Sequence, residues 1–578
     1  MGVAVTTAAT WVPQGAWSAG GDTAPPSQPG SITVSKLTTT SAALSWGSSS
    51  DNVGIEGYRV YRGPSGAGVV AMTLIATTDA VTSYPATKLY SGTGYTFGVT
   101  AIDAANNESP IRTVQLTTST GPDTTAPSAP SSSSVSLKAF SSTRIDVLWG
   151  ASPSTDVAGY RVLRDGVVIG RIDLPGGLRF SDTGLAATSK HSYAVQAIDS
   201  AGNASAATTA KTATTLAAGS VLITRGPLVS SVTGTSAVIS WWSNVPAVGK
   251  VGYGVASTGE HAVTDSQGSV VHHTVTLSGL TPGTSYVYAA SSASVSGGAS
   301  FSTAARTGTT FSFAAIGDFG GASTGELQNG TNIAAAGTSF IQTLGDNIYP
   351  SSGLIDPDYV NVYSDVDARF FKQFGTAVRS QAFLPANGNK EYYSNGQFWQ
   401  DFPMLGSNHS WYSYDWGDAH ITVVDSEQPM VTGSAQYAFI QSDLGSHASA
   451  KWRIVAIQRP PYSSATANSS SKPVLQYLVP LFDQHHVHLV LSGNTHNYER
   501  SFPLTGGSVE STGGTTYVVS GGGGNGFNAF SLAKPSWSAF REASYYEFTK
   551  VTVSPTSIVV QGIRADTKEV FDSVTITG

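Results

Sequence analysis

The stretch FSFAAIGDFG, residues 311–320, changes the texture of the chain: an apolar run of strand length ends in glycine and aspartate, and a helix-forming segment, GELQNGTNIAAAG, follows. Upstream the pattern is almost purely alternating, with short β-type runs between Gly, Asn and Asp turns. Downstream, apolar runs of five to seven residues alternate with helical stretches, DARFFKQFGTAVRSQ, SAQYAFIQSDLGSHA and KPVLQYLVPLFDQH. Strands alternating with helices imply an α/β domain, so residues 310–578 are expected to form one.

The upstream part contains a repeat with a period of about a hundred residues. DNVGIEGYRVYR (51–62) recurs as STDVAGYRVLR (154–164), and YTFGVTAIDAANNES (95–109) recurs as YAVQAIDSAGNAS (193–205). Each copy opens on a Pro-rich phrase and places a Trp (Trp46, Trp149) about a dozen residues before a Tyr (Tyr58, Tyr160). This is a β-sandwich signature, and it resembles the fibronectin type III module, whose core packs such a Trp between its sheets. The boundaries read as a tail over 1–25, one module over 26–117 and another over 124–216. Residues 219–306 carry the same alternation with a different opening and are expected to form a third sandwich.

Composition removes several classes of function. At 578 residues the chain needs several domains. Its net charge of -7 is spread without a Lys/Arg run, which argues against nucleic acid or an anionic membrane as partner. The absence of cysteine excludes disulfides, thiolate nucleophiles and Cys-held metals, so any metal must sit on His, Asp, Asn or Tyr. No apolar run approaches the roughly 18 residues of a spanning helix. The opening MGVAVTTAATWVPQG lacks a basic region and a full apolar core, so it does not read as an intact signal peptide.

Four strands of the α/β part end in polar residues: FSFAAIG runs into Asp318, SFIQTLG into Asp346, WRIVAI into Gln458, and VHLVLSG into Asn494 and His496. In open α/β sheets, ligands gather outside the carboxyl ends of strands. Gly317, Gly345 and Gly493 stand beside these residues, where a side chain would crowd a bound ion. Carboxylates and imidazole meeting there suit a hard or borderline cation. His485 and His486 are read as ending a helix and His488 as lying on the next strand, in structural roles. VVSGGGGNGFNAF (518–530) lacks the Lys-Ser/Thr of a phosphate-binding P-loop.

The order GDFG, GDNIY, GNKE, IVAIQRPPY and GNTHNYER resembles that of the metallophosphoesterases, and the Tyr of GDNIY narrows the resemblance to the purple acid phosphatases. That family also carries a sandwich like residues 220–306, often opening with RGP. The resemblance implies that Asp318, Asp346, Tyr349 and His496 hold a first metal, iron in the usual case with zinc or manganese as alternatives. It also implies a second metal held by Asp346, Asn389 and two histidines. Those histidines are replaced by Gln458 and Asn494, and Lys390 stands where a histidine normally helps bind and protonate the ester. The loop after Gln458, RPPYSSATANSSSKP, carries no histidine either.

Neutral amide oxygens are weaker donors to a borderline metal than imidazole, so the second metal is expected to be weakly held or absent. Lys390 and Asn389 then become the candidate catalytic or anion-binding groups, because an ammonium supplies fixed positive charge without a metal. Two functions stay open: a degenerate phosphatase used as an extracellular or cell-surface binding or structural protein, self-associating or holding polysaccharide through its sandwiches, and an active phosphomonoesterase of small phosphate esters with a mononuclear or Lys-assisted site.

Overall fold

The computed structural model describes residues 24–578 apart from 53, 67–71, 104–106, 121–122, 175–177, 350–365, 393–396, 406–407 and 512. The expected tail over 1–25 lies almost wholly outside the described residues.

The repeat folds twice in the same way. In the first copy a three-stranded sheet of Thr33–Ser35, Ala42–Ser45 and Ser83–Ala86 faces a four-stranded sheet of Thr73–Asp79, Ile55–Pro64, Gly94–Asp103 and Arg112–Thr117. The second copy repeats both sheets with the same strand order. Trp46 packs edge-on to Tyr58 at 5.4 Å between ring centroids, and Trp149 meets Tyr160 at 5.6 Å. Each tyrosine hydroxyl accepts a backbone N–H from the preceding loop, Ser49 and Ser152 respectively, at 2.9 Å. The apolar ring is thus buried while its polar tip is satisfied.

The remaining strands build two large sheets. One has eleven strands: Ile223–Ser230, Ser236–Gly254, His261–Ser278, Ser285–Ser292 and Val295–Ser302 are continuous with Ala382–Leu384, Phe340–Thr343, Phe311–Ile316, Glu547–Val553, Ser557–Arg564 and Val570–Thr577. The join is a parallel pairing of Ser230 with Phe383, supported by Val229 N–H donating to Val378 O at 2.9 Å. The third β region and the α/β part therefore share one hydrogen-bonded ladder. The second sheet has seven strands with Ala419–Val424, Trp452–Ile457, Leu489–Ser492 and Thr516–Ser520 parallel at its centre. Phe313, Phe340, Trp416, Ile454, Leu489, Leu491, Val518 and Val551 fill the core, all nearly inaccessible to solvent. Strands buried on both faces read as continuous apolar runs, which is how they stood out in the sequence.

Helices cover the outer faces. Thr324–Ala335 starts on a capping box, with the Ser323 hydroxyl accepting Glu326 N–H at 3.1 Å and Glu326 reaching back to Ala322 N–H. The helix expected in DARFFKQFGTAVRSQ is shorter than the pattern suggests: it spans Asp367–Phe374, begins as π-helix, and gives way to turns at Gly375. The strand expected to include His488 begins at Leu489.

Among the described residues, two polar contacts join the front modules to the rest. Asn244 Nδ2 donates to Phe140 O at 2.8 Å, and Arg459 meets Glu56 at 3.3 Å. Deleting residues 1–216 is therefore expected to leave residues 219–578 folded with one cooperative melt. Loss of soluble expression or of the cooperative transition in the deletion would show that the modules belong to the same core.

Candidate functional site

Asp318, Asp346 and Asn494 each follow a strand directly or by one glycine-containing step, and all three adopt left-handed backbone, φ 57°, 51° and 63°. Asp and Asn tolerate this region better than other side chains, but such conformations persist only where the surroundings impose them. Here the surroundings are close backbone approaches. A Cβ at Gly388 would lie 2.3 Å from Asp346 Oδ1, and one at Gly493 would lie 2.8 Å from Asp318 Oδ2. The glycines let three loops converge on the two carboxylates.

At the first position the groups meet. Tyr349 OH donates to Asp318 Oδ1 at 3.0 Å and lies 3.2 Å from His496 Nε2, which is 3.6 Å from the same Asp318 oxygen. Asp318 Oδ2 accepts Asn494 N–H at 2.6 Å. The other ring nitrogen of His496, Nδ1, faces Gly526 O at 2.7 Å. That carbonyl keeps the proton on Nδ1 and turns Nε2 toward the carboxylate, the posture of a metal-ligating imidazole. Burial lowers the His496 pKa, yet the Asp318 contact more than offsets this. A proton and a cation thus compete for one nitrogen. Tyr349 is held well above its usual range by burial and by Asp318 and Asp346. A carboxylate, a phenol and an imidazole nitrogen within this span fit a hard or borderline cation.

The second position is different. Asp346 Oδ1 accepts Lys390 N–H at 3.0 Å. With the Asn389 amide oriented to satisfy its neighbours, its nitrogen donates to Asp346 Oδ1 at 3.1 Å and its oxygen accepts from Lys390 Nζ at 3.0 Å. Gln458 brings its amide within 3.4 Å of that of Asn389, and its buried Oε1 has no partner. Lys390 Nζ also lies 5.7 Å from the centre of the Tyr349 ring. Burial raises Asp346 to about 6, with Lys390 opposing and Asp318 adding to the shift. Two neutral amides beside an ammonium do not fit a second cation.

All eight residues expected at the site, Asp318, Asp346, Tyr349, Asn389, Lys390, Gln458, Asn494 and His496, are joined to another of the set by these contacts. Glu391 was missed. Its buried carboxylate accepts N–H groups from Asp346, Asn347 and Gly388 at 3.0, 2.8 and 2.6 Å, tying the two loops together. A carboxylate immediately after Asn389–Lys390, inside the GNKE motif, was the available signal.

Among the described residues, two clusters with catalytic or ligand-like composition are instead taken up by internal contacts. Asp415, His420 and His447 lie close enough to hold an ion, but both ring nitrogens of His420 are occupied, by Asp415 at 2.8 Å and Asp443 at 3.0 Å. Burial lowers the His420 pKa, and the two carboxylates outweigh it, raising it to about 9, and neither ring nitrogen is left for an ion. Asp265, His273 and Ser292 line up like a nucleophile triad at 2.9 and 3.1 Å, yet all three are buried in the third β region where no substrate reaches. A cavity of about 380 Å³ lined by Arg306, Trp416 and Ser339 opens at the start of the strands, opposite the convergent loops.

Parts of the chain are similar to known proteins. Residues 514–573 match the family model described as iron/zinc purple acid phosphatase-like protein C, and residues 27–115 match the fibronectin type III domain. Exoglucanase B of Cellulomonas fimi is 35% identical over 302 residues, 50% of this chain and 26% of that protein. A nucleotide pyrophosphatase/phosphodiesterase of Hordeum vulgare is 28% identical over 38% of this chain and 70% of its own length. The protein named probable inactive purple acid phosphatase 1 of Arabidopsis thaliana is 26% identical over 38% of this chain and 41% of its own. The chain spans 26%, 27% and 32% of the length of exoglucanase B, a chitinase A1 and an exoglucanase A. The fold is that of the yellow lupin purple acid phosphatase PPD1, with a TM-score of 0.58 at 18% identity over 75% of this chain and 92% of the other.

Proposed function

We propose that this purple acid phosphatase-like chain with fibronectin type III modules is an extracellular protein that binds phosphate esters at a one-metal site and hydrolyses them weakly or not at all. The observation that carries the reading is Lys390 Nζ seated 3.0 Å from the Asn389 oxygen, where the resemblance expects a second cation. Asp318, Tyr349 and His496, with Asp346 beside them, would hold the first metal. When bound, that metal supplies positive charge to a phosphoryl oxygen. The chain's own residues do the rest. Gly526 O orients His496, Glu391 fixes the Asp346 and Gly388 loops, and Lys390 offers a fixed ammonium to the ester's remaining anionic oxygens.

Two metals clamp both attacking and leaving oxygens, and an ammonium supports only one side of that arrangement. The relatives named as exoglucanase and chitinase support a polysaccharide or cell-surface setting for the modules. Among the described residues no helix is long and apolar enough to cross a membrane.

Elemental analysis of protein purified without chelator is expected to give at most one tightly held metal per chain, with a tyrosinate absorption band in the visible if it is ferric. Two metals per chain after dialysis, together with rapid ester hydrolysis, would contradict the proposal. The second reading, an active phosphomonoesterase assisted by Lys390, rests on the same ammonium and would appear as turnover with one metal bound.

A further inference from the structure

We propose that Arg459 is an anion-binding residue of the strand-end crevice, and that Glu56 of the first fibronectin-type module is the anion it holds at rest, so that the module covers the crevice. Arg459 directly follows Gln458 at the end of the strand Trp452–Ile457. Its Nε and one terminal nitrogen donate to Glu427 at 2.7 and 2.9 Å, while the other terminal nitrogen reaches Glu56 at 3.3 Å. The second contact joins residues 403 positions apart in sequence.

Arg459 is wired into the wall of the site. Glu427 N–H donates to Asp425 Oδ1 at 3.0 Å, and Asp425 Oδ2 accepts Tyr392 OH at 2.6 Å. Tyr392 closes the short helix Asn389–Tyr392 that carries Asn389 and Lys390. Two Glu427 oxygens already satisfy one edge of the guanidinium, which is the geometry a carboxylate fits best. Glu56 is a second carboxylate on the same cation. Its side chain is 47% exposed against 12% for Glu427, so it is the member of the pair that a ligand can displace. An exposed pair of this kind is weak and exchangeable. The displacing group has the same chemistry as Glu56: an oxyanion, here inorganic phosphate or the phosphate of an ester. The loop that follows Arg459 has no histidine to perform this role.

The inference rests on the proposed phosphate-binding reading of the crevice, and its two halves are measured separately. The test uses the full chain with Glu56→Lys, a change at an exposed position that places a cation against Arg459. Small-angle scattering is expected to show a larger maximum dimension as the module swings away. Titration with inorganic phosphate is expected to show tighter binding by about five-fold, the upper range for releasing an exposed ion pair. Adding Arg459→Lys, which keeps the charge and loses the fork, is expected to abolish the gain. An unchanged scattering profile overturns the docking by Glu56. A larger molecule with unchanged phosphate affinity overturns the role of Arg459 as a ligand group. Absence of phosphate binding in parent and variant alike overturns the phosphate reading of the crevice itself, while the scattering result still decides the docking.

Discussion

Replacing Lys390, Gln458 and Asn494 together by histidine is expected to raise the metal content from one to two per chain, and each replacement alone is expected to do little. The structure explains the non-additivity. While Lys390 remains, its ammonium sits on the Asn389 oxygen and acts electrostatically on Asp346, and it opposes any cation a few ångströms away. Removing it alone leaves Gln458 and Asn494 as neutral donors around an empty space. Residues that share one network show interaction energies that single changes do not reveal.

The backbone permits the substitutions. Asn494 is left-handed at φ 63°, a conformation in which histidine is also enriched. Its N–H bond to Asp318 does not depend on the side chain. Second-metal affinity should rise beyond the roughly 10–100-fold that even outer-sphere partners contribute. Hydrolysis of an activated phosphate ester should recover in part, because the loop from Arg459 to Pro473 still lacks histidine. If the parent already turns over the ester as fast as the triple variant, Lys390 belongs to a working site of another kind.

What the sequence displayed and what it hid divide along sequence distance. The Trp46–Tyr58 and Trp149–Tyr160 pairs were legible because each is set by twelve or fewer residues of alternating strand and turn. The strand-end positions of Asp318, Asp346 and His496 were legible because apolar runs ending in Gly-Asp or Gly-Asn mark a strand meeting a crevice. The eleven-stranded ladder was not, since the pairing of Ser230 with Phe383 leaves no local pattern. His420 was overlooked for the same reason: its partners Asp415 and Asp443 lie on different elements, and only the fold makes it doubly paired. Glu391 stood inside a quoted motif, GNKE, but a carboxylate that accepts three backbone N–H groups looks like any other Glu until the loops it ties are known. Glu56, in a module read only as a β-sandwich, meets Arg459 across nearly the whole chain.

Raising the pH from 7 to 9 is expected to lower the melting temperature of the α/β part, and Glu326→Gln is expected to flatten that decline. Glu326 is fully buried at the start of its helix; burial raises its pKa from 4.5 to about 9, against the opposing backbone bonds and Arg369. Glu547 is raised to about 8, chiefly by burial, and His420 to about 9 by its two carboxylates acting against burial. The sign is the same for all three. Each holds a proton in the folded state that the unfolded chain has released, so its contribution is complete below the unfolded pKa and lost as pH rises through the folded one.

His272 and His488 act in the opposite sense, being lowered to about 4 chiefly by burial, but their effect lies below pH 6.5. The window from 7 to 9 therefore reads the raised groups, to which Glu391 adds, lifted to about 8 chiefly by burial and then by Asp346. Each retained proton gives a slope of about 1.4 kcal/mol per pH unit, so the transition should fall by at least about 5 °C across the window. Gln at 326 keeps an oxygen for Ala322 N–H and has no proton to lose, so the variant should decline less and exceed the parent at pH 9. Calorimetric scans of both proteins at pH 7, 8 and 9 decide it: equal slopes would show that Glu326 is ionised in the folded protein, and that its buried Oε1, which has no partner, is reached by water.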